Sequence, residues 1–190
     1  MLGLSSVLTP TTECGIFGTY QSLDLDGNSD YTSLPSSFLT AFNKTTGTFS
    51  FWVNIIQNDT DTSQFVIRVQ TASTNDNFTV FYHKHQTKWF ANLRVDSTTI
   101  SAVYDIPGSS NNDGSGYDDG WQHFASTWLV DGSSSYVKLY RNGSLQQTTT
   151  GTLNAWDETP DEANIGNNTD GSAAFVDGQI DQVAYWDAAL

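Results

Sequence analysis

Only three residues of this chain are glutamates, Glu13, Glu158 and Glu162, and two of them lie close together in Trp156-Asp157-Glu158-Thr159-Pro160-Asp161-Glu162. Two carboxyls about 5 Å apart can cleave a glycosidic bond with retention, and alternate positions on a strand supply that spacing. Four residues interrupted by Pro160 read as a loop instead, so no catalytic residue is assigned. His83-Lys84-His85 places two imidazoles on one face of a strand, the beginning of a zinc site. A third ligand would have to be His123 or an aspartate, which nothing in the sequence brings near, so the segment reads as a polar hairpin end. Asp24-x-Asp26-x-Asn28 mimics the start of a calcium loop, but its glycine is misplaced and its twelfth residue is Pro35 rather than Glu. Leu23 and Leu25 make it a strand running into a turn. Cys14 is the only cysteine, so no internal disulfide forms, and no His or Asn motif beside it marks a nucleophile.

The elements that would position such groups are strands. The chain has 190 residues, enough for one domain with a core, and holds six Trp, eight Tyr and eleven Phe. Aromatics and Thr favour pleated strands, and the many Gly, Asn and Asp favour turns between them. Strand signals recur every eight to twelve residues from Tyr20 onward, the spacing of a sandwich or barrel. Phe49, Phe51, Val53 and Ile55 alternate on one face of a long strand with Trp52 on the other. Phe65–Val69, Phe78–His83, Trp89–Val95, Trp121–Val130 and Tyr136–Arg141 follow, and Ala174–Ile180 and Gln182–Trp186 close the series. Asp131–Ser135 reads as a turn, 105–120 as the longest stretch without regular structure, and Asn142-Gly143 as a tight hairpin because both residues accept positive φ. No segment keeps a 3.6-residue apolar period beyond two turns. The expectation is an all-β, two-sheet antiparallel sandwich with almost no helix, in which Trp52, Trp121 and Trp128 are largely buried. Residues 1–19 form an N-terminal arm and 20–190 the domain.

Five segments, in order, carry a family resemblance. Leu23-Asp24-Leu25-Asp26-Gly27-Asn28-Ser29-Asp30-Tyr31 opens the series, followed by Gly47-Thr48-Phe49-Ser50-Phe51-Trp52-Val53. Asp119-Gly120-Trp121-Gln122-His123-Phe124 and the hairpin Val137-Lys138-Leu139-Tyr140-Arg141-Asn142-Gly143 come next. Ala163-Asn164-Ile165-Gly166 with Phe175–Trp186 ends it. Together they resemble the laminin-G-like jelly rolls of the concanavalin A-like lectin and glucanase superfamily, of the kind found in structural proteins of marine tailed phages. On this resemblance Trp121 and His123, two apart on a strand, brace the two sheets, and Gly178 marks a bend. Glucanases of this fold place two Glu around an Asp on one strand, a pattern absent here. Alginate lyases of this fold are approached superficially by Gln122-His123 and Tyr136-x-Lys138, but their Arg-rich strand is missing, with Arg68 and Arg94 standing alone. No cofactor is expected, although the resemblance implies that calcium can be held at a sandwich edge, for which the candidate loops are 111–119 and 167–170.

Function is narrowed by charge. Eighteen Asp and three Glu against seven Lys and Arg give a formal net charge of −14, which disfavours nucleic acid and anionic membranes as partners. Glycosylation sequons at Asn43, Asn58, Asn77, Asn142 and Asn167 are expected by chance in a chain this rich in Asn, Ser and Thr. The opening Met-Leu-Gly-Leu-Ser-Ser lacks a basic region and makes a poor secretion signal. An adhesive β domain without a leader or disulfide fits a virion protein of a tailed phage, assembled in the host cytoplasm as a capsid decoration, tail or fibre component. The expected partners are other virion proteins or further copies of the chain, as a homo-oligomer, together with cell-surface glycans. An extracellular carbohydrate-binding module is the first alternative, and a polysaccharide lyase or glycoside hydrolase the second.

Overall fold

A computed structural model describes residues 22–55, 63–107, 120–168 and 174–190. The arm proposed for residues 1–19, Cys14 and the acidic loop 111–119 lie outside the described residues, as does part of the loop 167–170.

Twelve strands are described: β1 Leu23–Asp26, β2 Thr32–Ser33, β3 Thr46–Ile55, β4 Ser63–Gln70, β5 Asn77–His83, β6 Lys88–Val95, β7 Thr98–Asp105, β8 Gln122–Leu129, β9 Gly132–Arg141, β10 Ser144–Leu153, β11 Glu162–Ile165 and β12 Asp177–Trp186. One six-residue helix, α1 Ser36–Ala41, and a short 3₁₀ turn at Lys84–Gln86 complete the described elements. The strands form two six-stranded sheets, β1-β12-β3-β8-β9-β10 and β2-β11-β4-β5-β6-β7, called here the first and second sheet. Every pairing is antiparallel. The chain builds four adjacent strands of the second sheet, out to its β7 edge, as the β4–β7 meander, adds β8–β10 to the first, and then places β11 and β12 in opposite sheets. No described helix is long and apolar enough to cross a membrane.

Alternation explains how the sheets stack. Phe49, Phe51, Val53 and Ile55 of β3 turn inward, as do Phe78, Val80 and Tyr82 of β5 and Trp89, Ala91, Leu93 and Val95 of β6. This period-2 burial is what one-sided strands require. The sheets are joined by rings: Trp89 lies 4.2 Å from Phe124, and Trp128 lies 4.4 Å from Phe78 and 5.5 Å from Phe42. Gly47 makes room for the Trp128 indole, since a Cβ there would stand 2.3 Å from the ring. Phe38 of α1 and Phe42, one helical turn apart, close one end of this aromatic cluster against Phe49 and Tyr185.

Several expectations are corrected. Of the three tryptophans expected inside, only Trp128 is buried, at 0% exposure, whereas Trp52 and Trp121 are 37% and 38% exposed. Neither Trp121 nor His123 braces the sheets: Trp121 precedes β8, and His123 packs on Trp52 with ring centroids 5.3 Å apart. Parity decides this, because Phe51 pairs with Phe124 on the inner face and Trp52 with His123 on the outer one. The expected strands Ala174–Ile180 and Gln182–Trp186 are one strand, β12, with a register shift between Asp181 and Ala184 where Gln182 adopts φ 49°. Ser133–Ser135 belong to β9 rather than to a turn, and Gly132 takes the positive φ that the reversal needs. The hairpin at Asn142-Gly143 forms as expected, at φ 48° and 76°.

Candidate functional site

The most chemically unusual described surface is the outward face of the second sheet. Ile67 and Val69, Phe78 and Val80, Ala91 and Leu93, Ile100 and Ala102, and Ala163 and Ile165 all turn into the core. Their neighbours must therefore point away from it. Pairing aligns those neighbours into two polar rows. One runs Asn164, Arg68, Thr79, Asn92, Ser101, and the next runs Glu162, Gln70, Asn77, Arg94, Thr99. Two of the chain's seven Lys and Arg thus meet on one face of a protein carrying a net charge of −14.

The face has a floor and arms. Asn164, Thr79, Asn77 and Gln70 are buried, while Arg68, Asn92, Arg94, Ser101 and Glu162 are half-buried around them. The Arg68 guanidinium donates through Nε and Nη2 to Gln70 Oε1, at 3.0 and 2.7 Å, and lies 5.5 Å from the Phe65 ring centre. Asn164 Nδ2 donates to Glu162 Oε1 at 3.0 Å. Asn92 Oδ1, Asn164 Oδ1 and Arg94 Nε are buried atoms with no hydrogen-bond partner among the described residues. Buried polar atoms are nearly always paired, and an orphaned one costs roughly 1–3 kcal/mol. Two amide acceptors and a guanidinium donor on one face are suited to hydroxyl and carboxylate groups of a polar ligand.

The residues weighed for catalysis are not brought together. Glu158 accepts from Ser73 Oγ at 3.0 Å, whereas Glu162 lies on β11 rather than in the loop expected around Pro160. His123 stands level with Trp52, while Lys138 and Tyr136 pair with Thr127 and Leu129, four and six residues further along β8. That puts them about 13 and 20 Å from His123 along the strand. The Lys138 ammonium lies over the Tyr136 ring at 4.7 Å.

The histidines and the aspartate weighed for a metal have local surroundings of their own. His83 ends β5 and His85 sits in the 3₁₀ turn, so the two do not share a strand face, although their rings lie 6.4 Å apart. Burial, then the neighbouring His85, hold the His83 imidazole below its ordinary pKa. Asp26 is taken up by its own turn: its Oδ1 accepts from the backbone N–H of Asn28, Ser29 and Asp30 at 2.9, 2.8 and 3.2 Å. Those bonds, Ser29's first, lower its pKa. No group of three or more His, Cys, Asp or Glu that could hold a metal occurs among the described residues.

Two stacked antiparallel sheets of six strands define a jelly-roll sandwich of the lectin type. The chain belongs to the concanavalin A-like lectin/glucanase superfamily, whose laminin-G-like profile matches residues 26–190. No curated protein sequence matches it significantly. Among solved structures it is similar to the CBM40 module of the Ruminococcus gnavus IT-sialidase, at 16% identity and a TM-score of 0.59, with 91% of this chain and 95% of that one covered. It is also similar to the binding domain of botulinum neurotoxin serotype D, at 18% identity and TM-score 0.60, covering 87% of this chain and 39% of that one. A third similarity is to the leech intramolecular trans-sialidase, at 16% identity and TM-score 0.63, over 89% of this chain and 25% of that one. At these identities the likeness is one of fold.

Proposed function

We propose that this domain is a non-catalytic glycan-binding module that engages an acidic saccharide on the outward face of the second sheet. The observation that carries the reading is the orphaned polar set Asn92 Oδ1, Asn164 Oδ1 and Arg94 Nε, placed beside the Arg68 guanidinium. A saccharide supplies hydroxyls for the amides, and a carboxylate on it gives the guanidinium of Arg94 a charged acceptor. Support also comes from a similar fold solved with α2,6- and α2,3-sialyllactose bound. The separation of His123 from Tyr136 and Lys138 favours binding over cleavage.

The test is calorimetric titration with 3′- and 6′-sialyllactose and with oligogalacturonate, comparing the wild type with Arg94→Met. Charged hydrogen bonds of this kind are worth about 1.5–3 kcal/mol, so the variant binds roughly ten- to hundredfold more weakly. Equal affinity in both proteins, or release of reducing ends or unsaturated products from laminarin, agar or alginate, overturns the proposal.

The same proposal displays the module as a repeated subunit on a virus particle, attached through residues 1–19. Leu2, Leu4, Val7, Leu8, Ile16 and Phe17 make that segment apolar without a strand or helix period, and a net charge of −14 keeps particles apart. Deleting residues 2–19 is expected to abolish particle incorporation and leave a folded monomer. Normal incorporation of the deleted protein removes the attachment role of residues 1–19, absence of the full-length protein from particles removes the virion reading, and either outcome leaves the glycan site standing.

A further inference from the structure

The outward face of the first sheet has a different construction. Pairing sets three rows across it. The first is Asp181, Trp52, His123, and the second is Ala184, Ser50, Ala125, Tyr140, Leu145. The third is Trp186, Thr48, Thr127, Lys138, Thr148. The middle row carries nothing larger than Ser or Ala on three adjacent strands, yet each flanking row begins with or contains an exposed tryptophan, Trp52 at 37% and Trp186 at 40%. Strand spacing makes this floor about 10 Å wide across β12, β3 and β8, and the two tryptophan rows about 13 Å apart.

We propose that this trough is a second ligand site, for a neutral saccharide seated on Ser50, Ala125 and Ala184 between the Trp52 and Trp186 indoles. A pyranose presents a C–H face that an exposed indole can cover, and an edge of hydroxyls that needs hydrogen bonds. The trough offers both. His123 is held against Trp52, its imidazole makes no hydrogen bond among the described residues, and Asp181 stands on the other side of the same indole. Thr127, two residues beyond Ala125 on this face, is 2% exposed, and its hydroxyl has no partner among the described residues. The Trp186 side is closed by the chain itself: Thr48 Oγ1 donates to the Ala188 carbonyl at 2.8 Å and accepts from the Leu190 N–H at 3.1 Å.

Charge selects the ligand class. The charges nearest the floor are one of each sign, Asp181 beside Trp52 and Lys138 across from Thr127, while Asp24, Asp26 and Asp177 lie further along the β1–β12–β3 register, so the trough gives a carboxylated or sulfated sugar no net attraction. The acidic saccharide of the other face and the neutral one here are therefore different ligands, and each site can fail without the other.

The experiment titrates wild type, Trp52→Ala, Trp186→Ala and Ala125→Phe with cello-, laminari- and galacto-oligosaccharides, and in parallel with sialyllactose. Near-ultraviolet circular dichroism checks that each variant is folded. The expected result is neutral-oligosaccharide binding by the wild type, at least tenfold weaker binding by either tryptophan variant, and none by Ala125→Phe, whose ring fills the floor without removing an indole. Sialyllactose binding should be the same in all four. No binding of any neutral oligosaccharide by the wild type, or unchanged binding in Ala125→Phe, overturns the proposal. So does a wild-type dimer in sedimentation that Ala125→Phe converts to monomer, because the occupant is then a second copy of the chain.

Discussion

The two outward faces of this sandwich come from the same alternation and are opposites in chemistry. On the second sheet, arginines and amides are sunk among neighbours, and three of their atoms have no partner among the described residues. On the first, aromatic rings stand exposed above alanine and serine and are flanked by aspartates. The interior between them is ordinary close packing of aromatic and branched side chains, which explains the fold and says nothing of what it binds. The contrast teaches that function here is to be sought where a strand's outward residues depart from the solvated polar pattern. One departure is buried polarity left unsatisfied, and the other is exposed apolarity held in register.

The largest effect is expected from the interior the two faces share. Trp128 is fully buried among Phe42, Phe49 and Phe78. Trp128→Ala should lose about 3–5 kcal/mol in urea unfolding and take both binding activities with it. A stable variant that keeps one activity would show that the sheets hold their faces independently. Next comes a difference of sign. Arg94→Met removes a buried, unpartnered donor from the second sheet, so stability should hold or rise by roughly 1 kcal/mol while acidic-saccharide affinity falls. Trp52→Ala on the first sheet removes a cross-strand ring pair with His123 and should cost about 1 kcal/mol or less. A loss of several kcal/mol in Arg94→Met would make that arginine a structural part of the sheet and erase the contrast.

The sheets were legible in the sequence because their inward residues are large and regular. Phe49, Phe51, Val53 and Ile55 announce β3, and Asn142-Gly143 announces the β9–β10 turn. The strand β7 was not foreseen, and β10 was implied only as the far arm of the Asn142-Gly143 hairpin, since Thr98–Asp105 and Ser144–Leu153 carry few large apolar residues and β10 lies at a sheet edge. Ring size suggests burial for both Trp52 and Trp121, whereas parity against the partner strand puts Trp52 outside and Trp121 precedes β8. The polar face was missed for a related reason. Arg68 and Arg94 are 26 positions apart and look isolated until the β4–β5–β6 meander sets them in adjacent rows. The available signal was their position beside Ile67 and Val69, and Leu93 and Val95, which forces both outward. The register shift between Phe65 and Ile67 is invisible in the sequence, and it displaces every pairing upstream of it by one residue.

The smallest effect tests whether the exposed stack is a packed unit. Burial holds the His123 imidazole below its ordinary pKa of 6.5, and the Trp52 ring 5.3 Å away is part of that cover. A histidine depressed in the folded state is protonated more readily in the unfolded chain. Its contribution to stability is therefore complete above pH 6.5 and is lost as pH falls through the window below it. Removing Trp52 opens the ring to water, so in Trp52→Ala the His123 titration followed by NMR should move up toward 6.5. The penalty of that substitution, measured by urea unfolding, should accordingly shrink between pH 7.5 and pH 5, because the variant has less depression to lose. If the His123 titration is the same in both proteins, the imidazole is shielded by its own strand, and Trp52 stands over the trough without shaping the environment of its neighbour.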